Sequence, residues 1–379
     1  MKVVLITGSL VHGGAERHSI TLANRLAERG HECHAVYVRN DPSQLPRLDL
    51  TSPSTIRCLH ARRYLDLGAV SHLNAFIKRL NPSVVFATNP YALMYASLAR
   101  SGAPLAVTLH STYMRTVKEQ LQMLAYRPLF WAADCAVFVC ERQRRHWQRR
   151  GVFGRRNQVI YNGVDLEHWT PGGDARAMRN LLGFSAQDFV IGLSAVLRPE
   201  KNPVQLVDAV AMLRRRGLPA RALMIGDGPM RPAVEARARS LGVAGDVVIA
   251  GFQQEMRPFV AACDVMALTS LTEAFSLAAI EAMALGKPVV HAEVGGAAEM
   301  IQPGHDGYLF PVRDTPALVE RLAALADPVA RTRMGENARA TVETRFSERS
   351  MIERYEHTLL ELASTRSKRE HLRKRAAAH

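Results

Sequence analysis

Two glutamates in the second half of the chain have a spacing and a setting that suit ligand binding. Glu273 lies in a loop after the predicted strand 265–268, and Glu281 lies in the following helix among small and hydrophobic residues. A carboxylate is rare in so apolar a helix, because a buried charge needs partners; the alternative is that Glu281 is solvated. The amides around Ser276 and Leu277 lie at the start of this helix, where backbone N–H groups bind phosphates. The stretch therefore predicts a diphosphate site.

A glycine loop follows the first predicted strand. Residues 8–17 read Gly-Ser-Leu-Val-His-Gly-Gly-Ala-Glu-Arg and lead into a predicted helix, an arrangement that attracts anions. Gly14 and Ala15 stand where a P-loop requires Lys and then Ser or Thr, which excludes a P-loop. No glycine lies between Gly8 and Gly13, which excludes the dinucleotide pattern Gly-x-Gly-x-x-Gly. The loop is therefore either another kind of phosphate-binding loop or a tight turn.

Two further turns follow predicted strands in the second half. Gly226-Asp227-Gly228 comes after one strand, and Phe252 comes after another. Glycine and aspartate favour tight turns, and ligands of parallel sheets bind at the carboxyl ends of strands. Each turn is therefore either part of a ligand site or a plain connection.

A regular framework must position these residues. Short β-branched runs alternate with amphipathic stretches of helical period, which is typical of parallel sheets covered by helices. The predicted strands are 3–7, 34–38, 84–87, 105–109, 136–139, 190–196, 222–225, 247–250, 265–268, 288–291 and 307–310. The predicted helices are 15–29, 69–80, 93–100, 117–131, 203–215, 231–241, 256–263, 277–285, 297–301, one that begins at residue 316, and 347–362. Turn sequences at 161–165 and 170–174 interrupt the alternation, which predicts two doubly wound α/β domains.

Length and composition fit a globular protein of about two to three domains. The chain has 379 residues, of which 47% are hydrophobic and 22% are charged. No apolar stretch approaches the roughly 18 residues of a bilayer-spanning helix, and the first residues lack the apolar segment of a signal peptide. The five cysteines are scattered, without a Cys-x-x-Cys pair. We therefore expect a cytoplasmic location.

The formal net charge of +14 is concentrated in two segments. Residues 142–156 contain seven arginines and no acidic residue, and residues 366–375 contain six basic residues and one acidic residue. Aromatic residues make up 6% of the chain and are not interleaved with the arginines, which disfavours nucleic-acid binding. The segments suit an anionic membrane surface or a polyanionic substrate; the alternative is a solvated face and tail.

Three residues of the first basic segment have the spacing of one helix face. These are Arg142, Arg145 and Arg149. Trp147 lies close to them in sequence and is a candidate interfacial anchor. We therefore expect these arginines to contact the inner face of the plasma membrane, as in a peripheral membrane protein, or to bind the acceptor.

The segment around the two glutamates resembles a family motif. Glu273 and Glu281, with Phe275 between them and Ala-Met-Ala at 282–284, resemble the Glu-x7-Glu motif of retaining glycosyltransferases of family 4. These enzymes have the GT-B fold, in which two doubly wound Rossmann-like α/β domains face each other across a cleft. Other stretches are similar to motifs of this family, in the same order: Gly-Gly-Ala-Glu-Arg at 13–17, Asn-Gly-Val-Asp at 162–165, Pro-Glu-Lys-Asn at 199–202, Gly-Asp-Gly-Pro at 226–229, Gly-Phe at 251–252, Gly-Lys-Pro-Val-Val at 286–290 and Gly-Gly at 295–296.

The resemblance implies roles for individual residues around a nucleotide sugar. Glu281 would accept hydrogen bonds from the nucleotide ribose, Glu273 would contact hydroxyls of the donor sugar, and His110 would border that sugar. The residues with implied catalytic roles are Arg198, Lys201, Glu273 and His110. The residues implied to bind the donor are Gly13, Gly14, Gly226, Asp227, Gly228, Phe252, Ser276, Leu277 and Glu281.

The leaving diphosphate requires positive charge, which Lys201 and Arg198 would supply. The family commonly has an arginine five residues before the lysine, where this chain has Val196, so Arg198 is expected to replace it. The sequence contains no Asp-x-Asp motif and no cluster with metal-ligand spacing. We therefore expect a metal-independent enzyme without a cofactor.

The implied activity is that of a retaining glycosyltransferase, which moves a sugar from a nucleotide-diphosphate sugar, with UDP-sugar favoured, to a glycan or lipid-linked acceptor. Residues 1–165 are expected to bind the acceptor and residues 166–345 the nucleotide sugar. Residues 346–379 would form a helix that returns to the first domain and a basic tail. Two alternatives stay open. A GT-B nucleotide-sugar epimerase would act without an acceptor, and a basic nucleic-acid-binding protein would bind DNA or RNA but no nucleotide sugar.

Overall fold

The computed structural model describes residues 1–11, 13–99, 102–112, 114, 116–172 and 175–376, with side chains up to residue 365. The chain divides into two compact units, of which one comprises Met1–Asn162 and Ser350–His379 and the other Gly163–Arg349. The division thus falls three residues before the boundary expected from the sequence. Residues 100, 173 and 174, which end a predicted helix and a predicted turn, and the side chains of the basic segment 366–375 lie outside the described residues.

Strands and helices alternate along the whole chain. The strands are β1 (Lys2–Thr7), β2 (Glu32–Tyr37), β3 (Thr55–Cys58), β4 (Val84–Thr88), β5 (Leu105–Leu109), β6 (Cys135–Phe138), β7 (Arg156–Val159), β8 (Phe189–Ser194), β9 (Ala220–Ile225), β10 (Val247–Gly251), β11 (Val265–Leu268), β12 (Val289–Ala292) and β13 (Gly307–Phe310). The helices are α1 (Gly14–Glu28), α2 (Leu67–Leu80), α3 (Asn89–Leu98), α4 (Val117–Ala132), α5 (Glu141–Gln148), α6 (Ala175–Leu181), α7 (Val204–Arg215), α8 (Arg231–Ser240), α9 (Arg257–Ala262), α10 (Leu277–Ala284), α11 (Ala297–Met300), α12 (Thr315–Ala324), α13 (Pro328–Arg345) and α14 (Glu348–Ala376).

The first unit contains a parallel sheet with the strand order β3-β2-β1-β4-β5-β6-β7. Helices α2 to α5 cover one face, and α1 and α14 cover the other. Ile352, Tyr355 and Leu359 of α14 are at most 2% exposed and pack in one core with residues of β1, β4, β5 and β6. This apolar stripe explains why the last helix belongs to the first unit, because without it that face of the sheet would be open to water.

The second unit contains a second parallel sheet, in the order β10-β9-β8-β11-β12-β13. Its core combines apolar residues of the strands with those of α7, α8 and α12. Strands β8 and β11 lie side by side, although two strands separate them in sequence. The predicted α/β class with two doubly wound sheets is therefore confirmed, and each sheet has one place where the strand order reverses.

The structure differs from the predicted elements at the edges of the first sheet, in α6, where no helix was predicted, and in α13, a second helix after the one predicted to begin at residue 316. Strands β3 and β7 were not predicted, because most of their residues are exposed or half-buried and polar, so they lack an apolar run. Strand β8 ends at Ser194 rather than at Val196, whose side chain is 46% exposed in the following loop. Helix α5 carries the arginines whose spacing predicts one helix face, although its almost entirely polar sequence has no apolar period.

Candidate functional site

The residues expected to bind the diphosphate lie where the strand order of the second sheet reverses. Strands β8 and β11 are hydrogen-bonded neighbours there. The loop after β8 carries Arg198 and Lys201, and the loop after β11 carries Glu273. Ligands of doubly wound sheets bind at such a reversal, at the carboxyl ends of the strands. The fold therefore brings these two loops together at the expected ligand edge.

An ion pair joins the two loops. Nζ of Lys201 donates a hydrogen bond to Oε1 of Glu273, and the hydroxyl of Ser270 donates to the same oxygen at 3.2 Å. Oγ1 of Thr269 donates to the carbonyl oxygen of Lys201 at 2.9 Å. The side chains of Lys201 and Glu273 are 28% and 18% exposed. Both charged groups are thus held in place and still reach solvent.

The backbone of Glu273 packs against a glycine turn. Gly295 has a φ of +52°, and a Cβ at this position would lie 2.2 Å from the carbonyl oxygen of Glu273. The amide of Gly296 donates to the carbonyl oxygen of Ala274 at 2.8 Å. Only glycine tolerates both the positive φ and so close an approach to a backbone oxygen, because it has no Cβ. The Gly-Gly pair therefore fixes the position of the Glu273 loop.

Glu281 lies inside α10 and is 4% exposed. The helix begins after Ser276, its N-cap, whose hydroxyl accepts a hydrogen bond from the amide of Ala279 at 3.3 Å. Leu277 is the first helical residue, so its amide belongs to the positive end of the helix. Because Glu281 is buried, the alternative that it is solvated is wrong.

The turn after β9 is built on glycines that approach the backbone of another loop. Gly226 has a φ of +140°, and a Cβ there would lie 1.9 Å from the carbonyl oxygen of Ala195. The amide of Gly228 donates to the Asp227 carboxylate at 2.7 Å, and Arg231 pairs with it at 2.9 Å. These two interactions lower the pKa of Asp227. The carboxylate of Asp227 is thus ionised and already engaged within its own turn.

Two other predicted site residues of the second unit are exposed. Arg198 lies at the start of the short turn Pro199–Lys201, and its amide donates to the carbonyl oxygen of Val196 at 2.7 Å. Phe252 directly follows β10 and is 66% exposed. Val196, at the position of the family arginine, is apolar. Arg198 and Lys201 are therefore the two cationic side chains of this loop.

In the first unit, His110 follows β5 at the carboxyl edge of the sheet. Its amide donates to Oδ1 of Asn89 at 3.1 Å. Its ring lies against that of His18 on α1, with 4.4 Å between the ring centroids. Burial lowers the pKa of His110 to about 4. The imidazole of His110 is therefore neutral at neutral pH.

Gly13 and Gly14 lie at the start of α1. Gly13 is the N-cap, with a φ of −165° that any residue can adopt, and Gly14 is the first helical residue. A Cβ at Gly13 would lie 2.3 Å from Oε2 of Glu16, and burial raises the pKa of that carboxyl group. Gly13 thus leaves room for the Glu16 side chain, and phosphate binding at this helix start stays a prediction.

Sequence reasoning missed two buried histidines beside predicted site residues. His18 contacts His110 in the first unit. In the second unit, His291 of β12 is 1% exposed, and its Nδ1 lies 2.6 Å from the carbonyl oxygen of Ala292. Burial lowers the pKa of His291, while the charge of Glu273 raises it and that of Lys201 lowers it. For His291, the signal in the sequence was a histidine in an otherwise apolar strand.

The first basic segment forms an exposed surface around α5. Arg142, Arg145 and Arg149, here called the α5 basic face, are exposed. Trp147 is 2% exposed and its Nε1 donates to the carbonyl oxygen of Ser111 at 3.0 Å. The expectation that Trp147 is an interfacial anchor is therefore wrong, because it lies on the inner side of the helix. Three other arginines of the segment pair with acidic residues: Arg144 with Glu141, Arg155 with Asp134, and Arg156 with Glu361.

The described part of the chain contains neither a helix that could span a membrane nor a group of side chains that could hold a metal ion. None of its helices combines the length and apolar composition needed to cross a membrane. Within the same residues, no three or more His, Cys, Asp or Glu side chains are grouped so that they could hold a metal ion.

Comparison with known proteins identifies the family. The model for glycosyl transferases group 1 matches residues 174–341, and the model for glycosyltransferase family 4 matches residues 12–168. The N-acetyl-alpha-D-glucosaminyl L-malate synthase of Bacillus anthracis is 27% identical over 360 residues, which cover 91% of this chain and 93% of the relative. The lipopolysaccharide core biosynthesis glycosyltransferase LpsE of Rhizobium meliloti is 29% identical over 359 residues, which cover 90% of this chain and 94% of the relative.

A solved structure agrees in fold. The Anabaena HepE protein in complex with UDP matches with a TM-score of 0.84 at 23% identity, over 95% of this chain and 100% of that chain. The predicted GT-B fold is thereby confirmed, as is the resemblance on which it was based. The chain is a glycosyltransferase with the GT-B fold, and it belongs to glycosyltransferase family 4.

Proposed function

We propose that this enzyme moves a sugar from a nucleotide-diphosphate sugar, with UDP-sugar as the leading candidate, to a glycan or lipid-linked acceptor, with retention of configuration. The observation that carries the proposal is the Lys201–Glu273 ion pair where the strand order of the second sheet reverses, followed by α10 with its buried Glu281. The arrangement offers a cation, two carboxylates and a helix N-terminus, which together suit a diphosphate bonded to a sugar.

The proposed chemistry follows from where charge develops. When the bond between the sugar and the diphosphate breaks, negative charge grows on the diphosphate, and Lys201 and Arg198 stabilise it. Glu273 accepts hydrogen bonds from donor-sugar hydroxyls, Glu281 accepts them from the ribose, and His110 borders the sugar. The acceptor oxygen attacks from the side of the leaving group, and its proton passes to the departing phosphate oxygen. This reaction requires no metal and no cofactor.

The donor and acceptor classes rest on the named relatives. HepE has been solved with UDP, which supports a UDP-sugar as the donor. LpsE is named for lipopolysaccharide core biosynthesis, which supports a glycan or lipid-linked acceptor. A nucleotide-sugar donor and a glycan acceptor also fit a site that offers carboxylates to hydroxyl groups and a cation to a diphosphate.

A thermal-shift screen of UDP-, GDP- and ADP-sugars tests the donor. A ligand at about 100 times its Kd stabilises the folded protein by about 2.7 kcal/mol. We expect a rise in Tm with a UDP-sugar and transfer to added acceptor. No shift with any nucleotide sugar would contradict the proposal, and conversion of the nucleotide sugar without acceptor would indicate the epimerase instead.

We also propose that the α5 basic face binds anionic lipid on the inner side of the plasma membrane. Two exposed aromatic side chains support this surface. Trp131 and Phe153 are 48% and 40% exposed, with 6.2 Å between their ring centroids. Nε1 of Trp131 donates to the carbonyl oxygen of Gly151 at 2.9 Å, which places the pair just beyond the end of α5. Cations beside exposed aromatic rings suit a membrane interface.

A further inference from the structure

Two imidazole rings of the first unit lie in contact, and three of their four nitrogens lack a hydrogen-bond partner within the described residues. Neither ring nitrogen of His18 has a partner within the described residues, and the same is true of Nε2 of His110. The ring centroids are 4.4 Å apart. His18 is 5% exposed. Three unpaired ring nitrogens are therefore concentrated at one place, at the carboxyl edge of the sheet.

Four buried hydroxyl groups of this unit are hydrogen-bonded in two pairs, unlike the three imidazole nitrogens. Ser19 shares a hydrogen bond with Thr88 at 2.7 Å, and Thr108 shares one with Tyr355 at 3.3 Å. The ring of Tyr355 also meets that of His18 edge-on, at 5.0 Å between centroids. Because buried polar atoms in folded proteins are nearly always paired, a cluster of unpaired ones needs an explanation.

Stability alone does not explain histidine at position 18. A buried polar group without a partner costs folding free energy, and an apolar ring of similar size would avoid that cost. Burial lowers the pKa of His18, and the neighbouring His110 lowers it further. A neutral imidazole offers one donor and one acceptor. A hydroxyl group also donates and accepts, so it matches the hydrogen-bonding capacity of each neutral ring.

We propose that His18 and His110 together bind hydroxyl groups of a sugar, so that His18 is a second imidazole in contact with substrate. The inference rests on the proposed glycosyl transfer and extends it to a residue that no sequence motif singled out. The hydroxyls belong either to the donor sugar or to the acceptor. The KM values for the two substrates, measured separately, distinguish these sources.

The test compares two substitutions of His18. His18→Phe keeps a ring and removes both nitrogens, whereas His18→Gln retains one donor and one acceptor. We expect His18→Phe to keep or raise Tm, to leave the Kd for UDP unchanged, and to lower kcat/KM at least tenfold. His18→Gln should recover part of that loss. The substrate whose KM rises is the one whose hydroxyls the pair binds.

A matched control is His34, a buried histidine of β2 whose two nitrogens are paired with Thr55 at 2.8 Å and Glu32 at 3.0 Å. His34→Phe should lower Tm and leave kcat/KM of the folded enzyme unchanged. Unchanged kcat/KM in His18→Phe would overturn the proposal, and so would a fall in its Tm like that of His34→Phe. A wild-type protein that binds neither UDP nor a nucleotide sugar would instead contradict the proposed function.

Discussion

The ammonium group of Lys201 and the carboxylate of Glu273 are hydrogen-bonded to each other, although the two residues are 72 positions apart in sequence. The pair joins the loops after β8 and β11, and Ser270 donates to the same carboxylate oxygen. An ammonium group has three donors, so Lys201 can keep this contact while it binds a phosphate oxygen. In the proposed function, the pair holds the lysine ready for the diphosphate while the Glu273 carboxylate accepts hydrogen bonds from sugar hydroxyl groups.

Lys201→Ala should lower kcat by about two or more orders of magnitude, because a fixed cation that stabilises the leaving diphosphate is lost. Initial rates with the UDP-sugar that the wild-type enzyme uses give the measurement. Arg216→Ala is the control, since Arg216 also pairs with a glutamate, Glu320, but on the exposed surface. Wild-type kinetics in a folded Lys201→Ala enzyme would remove Lys201 from the site.

Glu281→Gln should raise the Kd for UDP about tenfold, or ~1.4 kcal/mol, because a neutral amide accepts a weaker hydrogen bond than a carboxylate. The substitution keeps the size of a side chain that is 4% exposed. Isothermal titration with UDP provides the measurement, and Glu320→Gln on the surface is the matched control. Equal Kd values in wild type and Glu281→Gln would contradict the ribose contact.

Most strands and helices of the two sheets could be predicted from the sequence. Strand β11 was predicted with its observed bounds, and β1 within one residue, because both are continuous apolar runs buried on two faces. Strands β3 and β7 escaped prediction because an edge strand does not need an apolar run. The adjacency of β8 and β11 could not be read from periodicity, which locates strands but not their neighbours.

The candidate site was predicted by residue type rather than by geometry. The spacing of Glu273 and Glu281 pointed to a site, whereas the contact between Lys201 and Glu273 depends on strand order. His18 was missed because nothing in its local sequence shows that α1 brings it against His110. Trp147 was misjudged because nearness in sequence to arginines does not show which side of a helix a residue occupies.

Activity should persist in EDTA, since the proposed site neutralises the diphosphate with Lys201, Arg198 and the N-terminus of α10. Rates measured with excess EDTA and after addition of Mg²⁺ or Mn²⁺ should agree within about twofold, unlike those of an enzyme that needs a metal to stabilise the diphosphate. Complete inhibition by EDTA that either metal reverses would contradict the metal-independent mechanism.

The free energy of unfolding should fall as the pH falls below 6.5, the ordinary pKa of histidine, toward about 4, the pKa of His110 in the folded protein. In this range the unfolded chain binds protons that the buried neutral rings of His18 and His110 do not, so protonation favours unfolding. Each such histidine contributes a slope of about 1.4 kcal/mol per pH unit.

Urea unfolding of wild type and His18→Phe from about pH 7 to about pH 5 isolates the contribution of His18, because the other titrating groups are common to both proteins. The variant should gain stability relative to wild type as the pH falls. Parallel pH dependences in the two proteins would show that His18 is not a buried neutral imidazole.

Binding to vesicles should require anionic lipid and should weaken as ionic strength rises, because the α5 basic face acts through screened charges. Each arginine near such a surface contributes about 1 kcal/mol, so changing Arg142, Arg145 and Arg149 together to Gln should largely abolish cosedimentation. A control triple variant removes the same charge elsewhere in the first unit, at the exposed residues Arg62, Arg63 and Arg79, and should bind as wild type does. Equal loss in both variants would show that net charge alone attracts the protein, whereas undiminished binding of the α5 variant, or equal binding to neutral vesicles, would show that this face does not contact the membrane.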